Sequence, residues 1–453
     1  MSKVRLVPLG VVLGAALSLT TVLAPVPSGA APVPQPDPAT ARVSVSSGRA
    51  QANERSSSSS SSRTGRFVSF ASRASNLVAD DTNGVDDVFV RDRTTATTSR
   101  VSVSSTGVQG NAYSTGPATS GTGRYVAFIS AASNLVPGDT NGVVDVFVRD
   151  RVASTTVRVS VPDGGGQGND ASTVPSISQD GRYVVFSSFA SNLVPGDTNR
   201  FADLFVRDLR RGTTSRVSVP ATGGQGNGPS GFSSSTISGD GRWVVFESTA
   251  SNLVPGDTND APDVFLRDLR RAVTSRVSVS STGAQGQGVS SDPAISADGR
   301  YAAFSSWSPS LVPGDTNGVE DVFVRDLATG VTRRVSVTAG GVQGDSSSYQ
   351  PAISGDGRRV AFVSGASNLV PGDTNGTEDV FLVRWRAGTT TRLSVSAEGA
   401  QADSFSNDPS IDHRGRYVSF TSNATNLVPG DTNDMLDVFV AAADGAGGRP
   451  PSR

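Results

Sequence analysis

A Gly-Arg pair recurs at Gly65, Gly123, Gly181, Gly241, Gly299, Gly357 and Gly415, at spacings of 58, 58, 60, 58, 58 and 58 residues. A period of this length is one supersecondary unit repeated seven times, and such a unit must stack on its copies to bury its apolar faces. Each pair opens an apolar run such as Tyr183–Phe186 (YVVF), and a second run such as Asp145–Val148 (DVFV) follows about twenty residues after its own pair. A third run, Arg158–Val161 (RVSV), alternates apolar and polar residues as a sheet edge does. A short fourth, Pro175–Ser178 (PSIS), comes just before the next Asp-Gly turn. The reading is four strands per unit, in the order A (PSIS), B (YVVF), C (DVFV) and D (RVSV).

Strands B and C are apolar at consecutive positions, so both of their faces must be covered. One Phe per B strand (Phe70, Phe128, Phe186, Phe246, Phe304, Phe362, Phe420) and one per C strand (Phe89, Phe147, Phe205, Phe265, Phe323, Phe381, Phe439) supply 14 of the 19 Phe as core. The 50 Gly and 25 Pro argue against a helical alternative. The expected fold is all-β: a seven-bladed β-propeller of four-stranded antiparallel blades over residues 41–441. No D strand follows the seventh C strand, yet Arg42–Val45 (RVSV) precedes the first blade in the register of a D strand. That N-terminal strand is expected to complete the last blade. The run Ser56–Ser62 falls where the first A strand belongs and also reads as a flexible linker, so the first blade is the least determined.

Lys3 and Arg5 precede an apolar stretch, Leu6–Ala24, that leads to Pro25 and the small residues Ser28, Gly29 and Ala30. This reads as a secretory signal peptide over 1–30, followed by a Pro-rich leader over 31–40 and, at the other end, a disordered tail over 442–453. The expected location is outside the cytoplasm, secreted or associated with the envelope of a bacterium, with no membrane span after cleavage. The 39 basic and 41 acidic residues nearly cancel and form no basic block, which removes nucleic acid as an expected partner. Zero Cys and one His, His413, exclude disulfides, thiolate chemistry and multi-imidazole metal centres.

The units with Ser-x-Asp-Gly-Arg before an aromatic or apolar strand, as in Ser238–Trp243 (SGDGRW) and Ser296–Tyr301 (SADGRY), resemble the WD40-like propeller repeats of the TolB type over roughly residues 41–441. The resemblance implies a propeller and a binding or scaffolding role outside the cytoplasmic membrane. The chain lacks the N-terminal domain that TolB carries, and its B-to-C loops are longer.

Those loops carry Asp-x-Asn-x-x-x-Asp without exception: Asp81, Asn83, Asp87; Asp139, Asn141, Asp145; Asp197, Asn199, Asp203; Asp257, Asn259, Asp263; Asp315, Asn317, Asp321; Asp373, Asn375, Asp379; Asp431, Asn433, Asp437. Oxygen donors at alternate positions of a tight loop suit calcium, and the same residues suit Asx turns. A glutamine recurs in the D-to-A loops, at Gln51, Gln109, Gln167, Gln225, Gln285, Gln343 and Gln401. It either satisfies the loop or, at Gln109, Gln167, Gln225, Gln285 and Gln343, presents a ring of amides to a glycan or peptide. The Arg of each Gly-Arg pair should meet the Asp ending strand C (Asp92, Asp150, Asp208, Asp268, Asp326), with departures at Arg384 and Ala442. His413 lies in an A-to-B turn, opposite the long loops. The functional expectation is a monomeric, non-catalytic binding module for an extracellular protein, peptidoglycan or carbohydrate. The alternative is a hydrolase or polysaccharide lyase built from blade-specific residues such as Trp243, Trp307, Trp385 and Glu247.

Overall fold

The computed structural model describes residues 40–444. The expected signal peptide over 1–30, the expected leader over 31–40 except for Thr40, which is in a strand, and the expected tail over 442–453 from residue 445 onward lie outside the described residues.

The described chain forms seven four-stranded antiparallel sheets, each in the order A-B-C-D, which is the propeller expected. In the third blade the strands are Ser172–Ile177, Tyr183–Ser188, Asp203–Asp208 and Thr213–Arg216. Phe186 sits directly opposite Phe205, with ring centroids 5.9 Å apart. The equivalent Phe pair is in ring contact in every blade, from 5.7 Å for Phe304–Phe323 to 5.9 Å for Phe420–Phe439, stacked in six and tilted in Phe246–Phe265. Such a pair contributes about 0.5–1.5 kcal/mol beyond its buried area.

The core lies between blades. Val146 and Val148 of the second blade pack with Val184, Phe186 and Phe205 of the third, which is why strands B and C are apolar on both faces. The Gly-Arg turn makes a second joint: Gly181 has φ +75°, and a Cβ there would run into the Tyr125 ring of the preceding blade. The first blade receives Tyr417 of the seventh against Gly65 in the same way.

Closure is made by the N-terminal strand. Thr40–Arg42 pairs with the last strand, Asp437–Ala442, in the register Thr40↔Ala441, Ala41↔Val440, Arg42↔Phe439. Val43 then packs with Val438 and Val440 against Val68, Phe70 and Phe89 of the first blade. The serine run is a true A strand: Ser56–Ser61 pairs with Phe67–Ser72, and Ser59 donates to Ser419 of the seventh blade at 2.8 Å. An inner strand lines the channel rather than the core, so it needs no apolar alternation. Among the described residues no helix is long and apolar enough to cross a membrane.

The outer strand is displaced from its expected position. Strand D of the second blade is Thr155–Arg158, so only Arg158 of the expected RVSV strand belongs to it. Val159, Ser160 and Val161 leave the edge and dip into the blade, where all three are buried. The alternation therefore separates valines facing the core from a serine that caps the C strand, as the Ser160 hydroxyl donates to Asp145 Oδ1 at 2.5 Å. Strand A likewise starts earlier than PSIS, at Ser172, and contains a bulge between Thr173 and Ser176.

Candidate functional site

The Asp and Asn residues of each B-to-C loop meet an arginine that ends strand D. In the second blade, Arg158 Nη1 lies 2.9 Å from Asp139 Oδ1 and 3.1 Å from Asp145 Oδ2. Asn141 donates to Asp145 at 2.9 Å and to the Gly168 carbonyl at 3.0 Å. The same bracket forms at Arg42 (Asp431, Asp437), Arg100 (Asp81, Asp87), Arg216 (Asp197, Asp203), Arg276 (Asp257, Asp263), Arg334 (Asp315, Asp321) and Arg392 (Asp373, Asp379). Asn83, Asn199, Asn259, Asn317 and Asn375 bond to Asp87, Asp203, Asp263, Asp321 and Asp379 as Asn141 does to Asp145. In the seventh blade Asn433 donates to the Ala52 carbonyl at 2.9 Å. Burial pushes the Asp87 carboxyl above the ordinary range, against the hydroxyl of Ser102, the amide of Asn83 and the guanidinium of Arg100.

The arginine occupies the position between two carboxylates that a calcium ion would need, and the remaining side-chain oxygens are those of one Asn, one Gln and one hydroxyl. This set does not fit calcium, which takes about 6 to 8 oxygens. Among the described residues no group of three or more His, Cys, Asp or Glu is disposed to hold a metal. Thermal unfolding in excess calcium and in excess chelator is therefore expected to give coincident curves. One occupied site at 100 times its dissociation constant would add about 2.7 kcal/mol, so a calcium-specific rise in midpoint would restore the metal reading.

The glutamines point into the same loops. Gln109 accepts from Arg100 at 2.7 Å and donates to Thr82 at 2.7 Å, and Gln167 and Gln343 reach Thr140 and Thr316 in the same way. Gln225 donates to the Gly196 carbonyl at 2.9 Å, and Gln285 donates to Asp257 at 3.0 Å. Their amides stitch loop to loop. The Gly-Arg ion pairs form as expected in five blades, from Arg66–Asp92 to Arg300–Asp326. Arg384 instead pairs with Asp444.

What differs between blades gathers at the channel. Each inner strand bulges, and in five blades the bulged residue is a non-glycine with positive φ: Ser58, Val174, Asp292, Gln350 and Asp408. A bulge re-aims its side chain. Asp292 Oδ2 accepts from the Gln350 N–H at 3.3 Å, and Gln350 Oε1 accepts from the Asp408 N–H at 3.2 Å. These side chains thus cap the next blade's bulge. Glu247 is 1% exposed and accepts from the Ser233 N–H at 2.9 Å. Glu320 accepts from the Ser291 hydroxyl at 3.4 Å, and the Tyr349 hydroxyl faces Glu378 at 3.5 Å. Burial holds the Glu247, Asp292, Glu320 and Asp408 carboxyls above their ordinary range, and Asp292 adds repulsion to the other three. Burial, then Glu378, pushes the Tyr349 phenol up to about 12. Phe189, Trp307 and Phe232 are 56%, 51% and 43% exposed near the same strand ends.

The opposite end is closed. Backbone N–H groups of Arg63, Gly121, Gln179, Gly239 and Gly355 donate to carbonyls of Gly121, Gln179, Gly239, Ala297 and His413 at 2.9–3.2 Å, one residue per blade. Glycine or alanine at four positions leaves room for Arg63, Gln179 and His413 to fill the opening. Gln179 Nε2 lies 2.7 Å from His413 Nδ1, and Arg63 Nη2 lies 3.5 Å from His413 Nε2. His413 is thus a half-buried plug on the face expected for it, and burial with the Arg63 charge lowers its pKa. Trp243 and Trp385 are packing residues: Trp243 lies against Gly299, and the Trp385 indole donates to the Gly357 carbonyl at 2.8 Å.

No family model and no curated protein matches this sequence. Among solved structures it is similar to an oligogalacturonate lyase in complex with manganese, with TM-score 0.52, 14% identity and coverage of 86% of this chain and 90% of that one. It is also similar to the β-propeller domain of the Trilobed protease from Pyrococcus furiosus, with TM-score 0.52, 10% identity and coverage of 85% and 95%. TolB from Acinetobacter baumannii is found with TM-score 0.40 and 14% identity, over 79% of this chain and 66% of the TolB chain. At these identities the likeness to the lyase and to the protease domain shows the fold alone.

Proposed function

We propose that the chain is an exported, non-catalytic propeller that binds an extracellular or envelope partner, a protein, peptidoglycan or carbohydrate, at the loop-rich mouth of its channel. One observation carries the reading: the repeated carboxylates, arginines and glutamines engage one another inside the blades, while the carboxylates and exposed aromatics at the mouth each belong to single blades. Aromatic rings that stay exposed beside buried polar groups are the composition of a recognition surface. Co-sedimentation with insoluble peptidoglycan tests it. The expected result is retention of the native chain and a loss of about fivefold or more for the Phe189→Ala/Trp307→Ala double variant, from truncation of two aromatic anchors. Equal retention of both proteins would remove the aromatics from the site.

A second reading has its own support. A carboxyl raised by burial is what the acid in cleavage of a glycan requires, and burial raises Asp292, Glu320 and Asp408. Release of reducing or unsaturated ends from an acidic polysaccharide, abolished in Asp292→Asn, would establish it.

A further inference from the structure

We propose that the joint between the fifth and sixth blades is a second binding site, which takes a sugar acid: a hydroxylated ring bearing one carboxylate. The inference goes beyond the reading above and does not depend on it, because this joint lies between strands C and D of the fifth blade and the C-to-D turn of the sixth, away from the channel mouth. Val324, Asp326, Thr329, Arg333, Trp385 and Arg386 line a cavity there of about 360 Å³, the size of a small ligand pocket. The repeat supplies an internal control. The same cavity, about 400 Å³, recurs between the third and fourth blades, where Ser215 stands at the position of Arg333, Leu269 at that of Trp385 and Arg211 at that of Thr329. In all other blades the Arg333 position is serine, threonine, valine or alanine, and none has a tryptophan at the Trp385 position. Two exceptions to the repeat, one from each blade, thus meet in one cavity.

The charges differ between the two cavities as well. At the joint of the third and fourth blades Arg270 lies 3.8 Å from Asp240 and Arg211 lies 3.9 Å from Asp208, so each arginine there has a carboxylate. At the joint of the fifth and sixth, Asp356, the counterpart of Asp240, faces Arg358 at 3.8 Å, and Asp326 pairs with Arg300 at 3.1 Å. That leaves Arg333 and Arg386 without a carboxylate partner among the described residues. Arg386 is also held in place. Its guanidinium lies 4.9 Å from the Trp385 ring centroid and 5.3 Å from that of Tyr301, and it donates to the Tyr301 hydroxyl. The two rings meet edge to face at 5.7 Å, and the indole is tied to the Gly357 carbonyl. Against these neighbours Tyr301 is 2% exposed, where Tyr183 is only half-buried at the same position of the third blade. A guanidinium fixed on aromatic rings keeps its remaining N–H donors in a planar fork, which suits a carboxylate bidentately. Exposed Arg333 supplies the second cation. Asp326 and Thr329 add a carboxylate acceptor and a hydroxyl to the same lining. Ring hydroxyls satisfy these two, whereas a doubly charged phosphate would be repelled by Asp326. Trp385 gives the ring an apolar wall.

The test is calorimetric titration of the full exported chain with glucuronate, compared with neutral glucose and with benzoate. The expected result is saturable binding of glucuronate, none of glucose, and a loss of about tenfold or more in Arg333→Ser, as removal of a charged hydrogen bond implies. That variant places the third blade's residue at an exposed position, so it should keep the thermal midpoint, which separates binding from folding. Arg211→Ser alters the companion cavity and should leave the affinity unchanged. A glucuronate-containing tetrasaccharide that binds more tightly than glucuronate identifies a unit of a glycan chain as the source of the ring, and equal or weaker binding identifies the free acid. Absence of glucuronate binding overturns the proposal. So does glucose or benzoate binding as tightly as glucuronate, affinity unchanged in Arg333→Ser, or an equal loss in Arg211→Ser. Retention on peptidoglycan that falls in Phe189→Ala/Trp307→Ala is read separately, so either site can fail without the other.

Discussion

Deleting the chain up to Val45 is expected to lower the unfolding midpoint by about 10 °C or more, a larger effect than any single substitution in a blade. The deletion removes the strand Thr40–Arg42 and Val43, which is 2% exposed and worth about 1.5–3 kcal/mol of burial. It also leaves Asp437 without the Ser44 hydroxyl at 2.5 Å and without the Arg42 guanidinium at 3.5 Å. An uncompensated buried carboxylate costs about 3–5 kcal/mol, so the sum is on the order of 5 kcal/mol, and each kcal/mol moves the midpoint of a large domain by about 2 °C. Amide exchange in Asp437–Ala442 should rise at the same time, because that strand becomes a sheet edge. Grafting residues 38–52 behind Asp444 should restore both measurements, since pairing with the last strand depends on the segment and not on its order in the chain. An unchanged midpoint after deletion would mean that the ring closes without this strand.

Replacing one bracketing arginine, Arg158→Met, is expected to cost about 3–5 kcal/mol at pH 7, because Asp139 and Asp145 are then buried with like charges facing each other. Asp139 is already held above the ordinary carboxylate range by burial in spite of Arg158, and loss of the guanidinium moves it further up. A carboxyl raised in the folded state contributes stability that is full below its unfolded pKa near 4 and is lost as pH rises through the folded value. The deficit of the variant should therefore shrink towards pH 4 and grow towards neutrality. Chemical unfolding of both proteins at pH 4 and pH 7 checks the sign. A deficit independent of pH would show that Arg158 acts by packing alone. The variant also opens the loop to metal: a calcium response that appears in Arg158→Met and is absent from the native chain is the signature of a guanidinium holding a cation position.

The seven units and their B and C strands could be read from the chain because each depends on near neighbours, and the latch because its RVSV segment repeats a pattern found in the other units although its partner strand lies at the far end of the sequence. Turn chemistry at Gly181, cross-strand pairing of Phe186 with Phe205 and the early RVSV segment are local patterns repeated until chance is excluded. The position of strand D could not be read, because alternation shows that residues differ in environment without showing where each one goes. Ser160 is as buried as Val159, and its polarity signals a hydrogen bond rather than solvent. The arginine bracket left a trace, one Arg before every VSV and two Asp in every long loop. Their contact depends on how strand D returns over the loop, and the composition alone also allowed calcium.

The channel mouth belongs to the tertiary structure. Asp292 and Asp408 break no local rule that distinguishes them from other loop aspartates, and their blades are not neighbours around the ring. The bulge at Asp292 aims its carboxylate at the Gln350 N–H of the next blade, and Gln350 in turn caps Asp408, contacts that exist only between assembled blades. Repetition in the chain determined the blade, its core and the number of copies, since each follows from short-range packing that every unit satisfies alike. Only the closed ring decided which exceptions to the repeat share one space, because electrostatic coupling between blades exists only once the circle has brought their inner strands together.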